Sequence, residues 1–229
     1  MKSVAMRRAG AVLILMLTFA GTLPTGAWAG SRDFLWKTVS TCLDPSAVDY
    51  CGQCSTPRAE KGCAGHAACG ETLQVLAEAN NYVAFADRKM CGCPEGYFHA
   101  LAIPRAKVTG VEDPHRPEGI WCFAWELGRR RIGDETVMAL VVNPRLYRSQ
   151  DQLHVHVVRL KPDARQRFTK LPQARVPNLD QVWRTAREKA EAAKFTDYGV
   201  LVASSPDGGY LVVVDPVSPE KEFTEAYCR

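Results

Sequence analysis

The stretch RSQDQLHVHVVRL at residues 148–160 decides the fold. Its apolar run has the length and the valine content of a strand, so we expect a strand over residues 152–160. On a strand, side chains two residues apart project to the same face. His154 and His156 are therefore predicted to lie side by side on one surface of a sheet.

Two imidazoles on one face have three interpretations. They could be two ligands of a zinc or iron ion, residues without a chemical role, or a nucleophile and its supporting partner. A metal site needs at least a third ligand. Three other histidines are available, namely His66, His99 and His115, but none has the spacing of a metal-binding motif to this strand.

The loop that precedes the histidine strand is polar. It begins at Asn143, where an apolar strand ends, and it carries Arg145, Arg148 and Ser149. Side-chain and backbone donors on such a loop can bind an anion. The loop therefore brings a candidate anion site to the start of the histidine strand.

The rest of the chain alternates between helix and strand patterns. Asn178 is a plausible cap for the last helix, and the arginines at 129–131 fall at the C-terminal end of the middle one. Helices are predicted at residues 33–40, 118–132 and 179–194, and strands at 82–88, 98–104, 136–142, 198–203 and 210–214. The pattern predicts an α+β fold with a mainly antiparallel sheet and two principal helices.

The N-terminus has the pattern of an export signal. Lys2, Arg7 and Arg8 precede a short apolar run at residues 11–20, and the small-residue pattern Ala-Trp-Ala follows at 27–29. We expect residues 1–29 to be a signal peptide or a membrane anchor, and residues 30–229 to form a single domain. The expected location is the bacterial cell envelope, either periplasmic or at the periplasmic face of the inner membrane.

Nine cysteines agree with export, because disulfides persist in oxidising compartments. We expect several disulfides, with a Cys-rich irregular insertion at about 44–70. The alternative for Cys51, Cys54, Cys63 and Cys69 is a structural zinc site, since four thiolates suffice for a tetrahedral ion.

The charge of the chain argues against nucleic acid as a partner. The formal net charge is +4, and three of these positive charges belong to the signal-like segment, which has no acidic residue. Binding to nucleic acid requires a concentrated basic face. We therefore expect no nucleic-acid partner.

A family resemblance adds to this interpretation. The pattern Gln150-x-x-x-His-Val-His156-Val, with Asn143 seven residues before the glutamine, resembles the histidine-triad superfamily of nucleotide hydrolases and transferases. The strand HALAIP at 99–104, followed by the basic Arg105, is similar to a strand of that superfamily.

More closely, residues 33–229 resemble the bacterial CDP-diacylglycerol pyrophosphatases. The matching features are Leu35-Trp36 before Cys42, the segment from Ile103-Pro104 to the TGVE run at 109–112, the QLHVH block at 152–156, and Tyr198-Gly199 before a late cysteine. The insertion at 51–69 is not an evident part of this resemblance.

The resemblance implies a histidine-triad-like fold and a covalent mechanism. His156 would attack the α-phosphorus of a nucleotide-linked lipid at the membrane surface, and His154 would orient or support it. It implies neither a metal nor a cofactor. The residues expected to bind the substrate are Asn143, Arg148, Ser149, Gln150, Gln152 and Arg105.

The sequence departs from many superfamily members at Val158, where they carry a third histidine. That histidine can help to protonate a leaving group. A phosphomonoester has a second pKa near 6 and leaves with little acid assistance. Val158 therefore favours a phosphoanhydride substrate over a phosphoramidate.

Two other functions fit the same residues. One is hydrolysis of a soluble nucleotide diphosphate conjugate by the same histidine chemistry. The other is a secreted, disulfide-rich binding module in which His154 and His156 are structural residues or occasional metal ligands.

Overall fold

The computed structural model describes residues 31–42, 74–90 and 92–228. The expected signal peptide or anchor and the expected Cys-rich insertion both lie outside these residues. Within them, no helix has both the length and the apolar character needed to cross a membrane.

One eight-stranded sheet forms the centre of the protein. Every registered pair of neighbouring strands is antiparallel, and the strand order is β1-β2-β3-β5-β4-β7-β8-β6. The strands are β1 Val75–Ala79, β2 Tyr82–Ala86, β3 Ala100–Pro104, β4 Met138–Val142, β5 Val155–Arg159, β6 Gln173–Val176, β7 Gly199–Ser204 and β8 Tyr210–Asp215.

In the described part of the chain, two α-helices of more than two turns accompany the sheet, together with three shorter ones. The helices are α1 Phe34–Lys37, α2 Ile120–Ile132, α3 Ala164–Phe168, α4 Val182–Ala192 and α5 Pro219–Phe223. A π-helical turn at Thr38–Cys42 extends α1. The mixed α/β class, the large antiparallel sheet and the two principal helices are thus confirmed.

Two local predictions were wrong. The histidine strand begins at Val155 and not at residue 152, because the segment before it bonds to the 104–108 loop and not to a strand: the Leu153 amide donates to the Val108 carbonyl at 2.6 Å. The Asn178 side chain makes no capping hydrogen bond, since a 3₁₀ turn at Leu179–Gln181 precedes α4.

The two long helices cover one face of the sheet, which we call the helix face. Trp121 of α2 and Trp183 of α4 pack with ring centroids 4.6 Å apart. At Gly128 a Cβ atom would lie 2.1 Å from the Met138 sulfur, so only glycine allows α2 to approach the sheet this closely. The arginines at 129–131 lie at the C-terminal end of α2, as predicted, and are exposed.

The opposite face carries the pocket, and we call it the site face. Leu101 and Val141 flank His156 in register on the neighbouring strands, so all three side chains project to this face. Two apolar clusters cover it, one around Leu35 and the other around Phe168. The histidines lie in the gap between these clusters.

Candidate active site

A pocket of about 470 Å³ opens on the site face. It brings together six of the eight residues predicted to form the site. Those six are Asn143, Arg148, Ser149, Gln150, His154 and His156. Both predicted catalytic residues thus line one cavity.

The two remaining predicted residues, Gln152 and Arg105, do not line this pocket and contact other parts of the protein. The Gln152 amide nitrogen donates to the carbonyls of Pro104 and Ala106, at 3.0 and 2.8 Å, and its oxygen accepts from Val108. Arg105 pairs with Glu78 at 2.9 Å. Gln152 therefore supports the loop after β3, and Arg105 lies outside the pocket.

His156 lies between two other histidines. Its ring centroid is 4.8 Å from that of His154 and 5.1 Å from that of His99. The His99 Nε2 atom is 2.8 Å from His156 Nδ1. Although His99 is distant in sequence, the pairing of β3 with β5 brings it to the predicted nucleophile.

The hydrogen bonds of His99 assign the tautomer of His156. His99 Nδ1 lies 3.2 Å from the Ala226 carbonyl, which can only accept, so this nitrogen carries a proton. In a neutral His99 the Nε2 atom is then an acceptor, and His156 Nδ1 must donate to it. The Nε2 atom of His156 is left with a lone pair, as a nucleophile requires.

Burial keeps these histidines neutral. It lowers the pKa of His99 and of His154, and it lowers the pKa of His156 well below the ordinary 6.5. A proton on His154, the charge of Lys89 and a proton on His99 each lower the pKa of His156 further. At neutral pH the imidazole of His156 is therefore an unprotonated base.

His154 has a fixed orientation of its own. Its Nδ1 atom donates to the Gln152 carbonyl at 2.7 Å, which leaves Nε2 unprotonated in the neutral ring. His154 lies just before β5 and has no place in the strand pairing. Its ring is therefore oriented by this local hydrogen bond. The arrangement suits a supporting role beside His156.

Asn143 and Glu220 surround the free nitrogen of His156. The Nδ2 atom of Asn143 and a carboxylate oxygen of Glu220 each lie 3.4 Å from His156 Nε2. Asn143 also donates to Glu220 at 2.6 Å and accepts from the Ser218 hydroxyl at 2.7 Å. The amide of Asn143 is thus held by two partners, with its nitrogen directed at the nucleophile.

Lys89 supplies a cation to the same pocket. Its ammonium donates to Glu220, and the Tyr227 ring centroid lies 4.7 Å away. Burial by itself would lower the pKa of Lys89, but the carboxylate of Glu220 outweighs it and raises that pKa. Lys89 therefore stays charged and lies where a phosphate group could approach it.

Arg148 lines the pocket but is already paired. Its guanidinium contacts both carboxylate oxygens of Glu112, at 2.5 and 2.7 Å, and its side chain is only 4% exposed. Burial raises the pKa of Glu112, but the hydrogen bonds from Arg148 outweigh this effect and lower it. At Gly110 a Cβ atom would come within 2.2 Å of the guanidinium, so the loop is built around this pair.

Gln150 and Asp151 hold the N-terminal segment over the pocket. The Gln150 oxygen accepts from the Leu35 amide at 3.0 Å, and its nitrogen donates to the Ser31 carbonyl at 3.1 Å. Arg32 forms two 2.7 Å hydrogen bonds with Asp151. The side chain of Gln150 therefore supports the pocket wall.

One group of residues offers the donor set of a metal site. Asp87, His99 and His156 place one ligand atom each within 4.8 Å of one another. Two nitrogen ligands of a tetrahedral zinc ion, each about 2.0–2.1 Å from the metal, lie about 3.3 Å apart. At 2.8 Å, the nitrogens of His99 and His156 fit a shared proton better than a shared ion.

Several site residues were not predicted from the sequence. His99 was considered only as a metal ligand and as part of the similar strand before Pro104. Ser218 and Pro219 are a cap and a first helical residue, a typical signal for the helix that carries Glu220. Asp87 and Lys89 follow β2 without any motif.

Comparison with known proteins gives a consistent result. A family model described as CDP-diacylglycerol pyrophosphatase matches residues 30–201. A Yersinia pestis protein named CDP-diacylglycerol pyrophosphatase is 24% identical over an alignment of 253 residues, which covers 95% of this chain and 89% of that relative. The family match spans the histidine strand, the loop before it, and His99.

Proposed function

Because the chain belongs to the CDP-diacylglycerol pyrophosphatase family, we propose that it hydrolyses CDP-diacylglycerol to CMP and phosphatidate with His156 as the nucleophile. The observation that carries the chemical part is the hydrogen bond from His156 Nδ1 to His99 Nε2. It leaves the other nitrogen of a buried, neutral imidazole free to attack.

In the first step, His156 Nε2 attacks the phosphorus that bears cytidine. A P–N bond forms, and the bond between this phosphorus and the bridging oxygen breaks. The bridging oxygen takes the electron pair and leaves as phosphatidate. The His156 ring becomes cationic, and its Nδ1 proton is shared with His99 Nε2, which lies 3.5 Å from the carboxylate of Asp87.

In the second step, water attacks the cytidylyl phosphorus. The P–N bond breaks, its electron pair returns to Nε2, and the water loses a proton as CMP forms. Dividing one displacement into two lowers the barrier of each. Glu220 lies 3.4 Å from Nε2 and is a candidate acceptor for that proton.

Donors around the pocket suit the phosphate oxygens. Lys89 and the amide of Asn143 lie beside the nucleophile, and Ser149 and Lys221 line the same cavity. Arg148 acts through its pair with Glu112. This set shares Asn143 and Ser149 with the residues expected from the sequence and adds Lys89 and Lys221.

The fold and the location are part of the proposal. The antiparallel sheet with two long helices is compatible with a histidine-triad-like fold. The signal-like N-terminus supports residence in the cell envelope, inner membrane-associated or periplasmic, where residues 30–229 would act as one domain. No metal is required by the scheme.

A direct assay tests the proposal. Purified full-length protein is incubated with CDP-diacylglycerol labelled in the cytidine, and with CDP-choline and a UDP-sugar in parallel. We expect CMP and phosphatidate in equal amounts from the lipid substrate. Absence of CMP from the lipid, or faster cleavage of the soluble conjugates, would overturn the assigned substrate.

A further inference from the structure

Four large hydrophobic side chains in the described part of the chain are more than a third exposed. Leu146 is 77% exposed, Tyr227 64%, Tyr147 51% and Val217 37%. Tyr147 and Tyr227 line the pocket that contains His156. Leu146 and Val217 are the sequence neighbours of the pocket residues Tyr147 and Ser218.

The topology brings the loops that carry Leu146 and Val217 to the same end of the sheet. Leu146 follows the end of β4, and Val217 follows the end of β8. Both strands pair with β7 near its start, because Val142 is registered with Val200 and Gly199 with Asp215. The loops that carry the exposed side chains therefore emerge together, beside the pocket entrance. We call Leu146, Tyr147, Val217 and Tyr227 the mouth patch.

The backbone holds Leu146 and Val217 in defined turns. The carboxylate of Asp197 accepts hydrogen bonds from the amides of Arg145 and Leu146, both at 2.9 Å. The carboxylate of Asp215 accepts from the Val217 amide at 2.9 Å. An exposed leucine on a turn with two amides bonded to one carboxylate is held in place and is not a frayed loop tip.

Cations accompany the mouth patch. Arg145 precedes Leu146, Lys221 lines the pocket four residues after Val217, and both cations are exposed. Apolar side chains bordered by lysine and arginine are typical of surfaces that bind anionic phospholipids. Tyrosine rings favour the headgroup level, where one end is apolar and the other is wet.

We propose that the mouth patch docks on the phospholipid bilayer that carries the substrate. Leu146 and Val217 insert among the acyl chains, and Tyr147 and Tyr227 lie at the headgroup level on either side of the entrance. The phosphoanhydride then reaches His156 while the acyl chains stay in lipid. This inference rests on the proposed function for its substrate, but docking can be measured without turnover.

A fluorescence experiment measures docking directly. Full-length wild type, Leu146→Trp and the control Glu188→Trp are mixed with phosphatidylglycerol vesicles that contain brominated phosphatidylcholine. Glu188 is exposed on α4, which lies on the helix face. We expect brominated lipid to quench the added tryptophan at 146 and to leave the one at 188 as bright as in vesicles without bromine. Equal quenching at both positions, or none at 146, would overturn the proposal.

Kinetics then separate docking from chemistry. Leu146→Ser combined with Val217→Ser should lower the rate on long-chain CDP-diacylglycerol in vesicles at least fivefold, and Leu146→Phe should retain it. The rate on a short-chain, monomeric CDP-diacylglycerol should stay within twofold, since neither residue lines the pocket. Equal losses on both substrates would contradict a lipid-docking role. If the wild type cleaves neither substrate yet Leu146→Trp is quenched, the proposed function fails and docking stands.

Discussion

The Nε2 atom of His99 lies 2.8 Å from the Nδ1 atom of His156, and the second nitrogen of His99 is bound to the Ala226 carbonyl. One backbone carbonyl near the C-terminus therefore determines which nitrogen of His156 carries the proton. His99 contacts the nucleophile without lining the pocket, so it is a positioning residue.

His99→Leu should lower kcat/KM about 10–100-fold, the range typical of partners that orient a reactive histidine. His99→Gln should recover part of the loss, because its amide oxygen can accept from His156 Nδ1. NMR of ¹⁵N-histidine-labelled protein should show His156 Nε2 unprotonated in the wild type and a mixture of tautomers in His99→Leu. An Nε2-protonated His156 in the wild type would contradict this assignment.

The disulfide between Cys93 and Cys228 anchors the segment that supplies the Ala226 carbonyl. Cys228→Ser should lower the free energy of unfolding by about 2–5 kcal/mol, because the crosslink closes a long loop. It should also reduce kcat/KM at temperatures where the variant is fully folded, since His99 loses a fixed acceptor. Calorimetry and turnover measure the two effects.

The control for the disulfide variant is Cys122→Ser. Cys122 is a free, exposed cysteine on α2, so neither stability nor turnover should change. Full activity of a folded Cys228→Ser variant would show that the C-terminal segment keeps its place without the crosslink.

Stability should depend on pH through three buried histidines. Burial lowers the pKa of His99, His154 and His156 in the folded state, whereas in the unfolded chain each titrates near 6.5. The unfolded state therefore binds more protons below pH 6.5, and the free energy of unfolding falls as the pH drops. Each histidine contributes a slope of up to about 1.4 kcal/mol per pH unit.

Urea unfolding at pH 7.5, 6.5 and 5.5 measures this slope. It should be small between pH 7.5 and 6.5 and steep below, and His99→Gln should reduce it by one proton. The same lowered pKa predicts that kcat/KM stays on its plateau below pH 6.5, because His156 remains unprotonated there. A free energy of unfolding that does not change with pH down to 5.5 would contradict the burial of neutral histidines.

The sequence predicted the sheet, the two long helices and the pair of histidines, because each is a local pattern. The spacing of His154 and His156 placed them together even though His154 lies outside the strand; a bond to the Gln152 carbonyl now orients its ring. The contact of His99 with His156 spans 57 residues and depends on the order of the strands in the sheet. Local sequence periodicity carries no information about that order.

Arg148 shows a second limit of prediction from sequence, because the sequence places the residue in its loop but does not reveal its ion-pair partner. An arginine in a polar loop before the nucleophile was a reasonable phosphate ligand, but its partner Glu112 lies 36 residues earlier. Asn143 lines the pocket with the two histidines because it follows the end of β4 next to β5. Glu220 enters from α5, a five-residue helix that was not predicted.

Arg148→Ala should therefore act mainly on stability. Removing the guanidinium leaves Glu112 without its partner, and we expect a loss of about 1–3 kcal/mol in unfolding free energy, discounted because Glu112 is partly exposed. Turnover of the folded variant should fall less than tenfold, and Glu112→Gln should behave similarly. A 10²–10³-fold loss of kcat with an unchanged Tm would instead assign Arg148 to the developing charge of the transition state.

His156→Ala should abolish hydrolysis and leave the fold nearly intact, because the imidazole faces the pocket and its contacts include the polar groups of His99, Asn143 and Glu220. His154→Ala should keep part of the activity, since a supporting residue is less costly to lose than the nucleophile.

Acid quenching cannot preserve a phosphoramidate for long, so wild-type turnover of cytidine-labelled substrate should be stopped in base and the label sought on His156 by mass spectrometry. Chelators should leave the rate unchanged, because the scheme needs no metal to activate water. Wild-type turnover by His156→Ala would disprove the nucleophile assignment, and loss of activity on chelation alone would make Asp87, His99 and His156 a metal site.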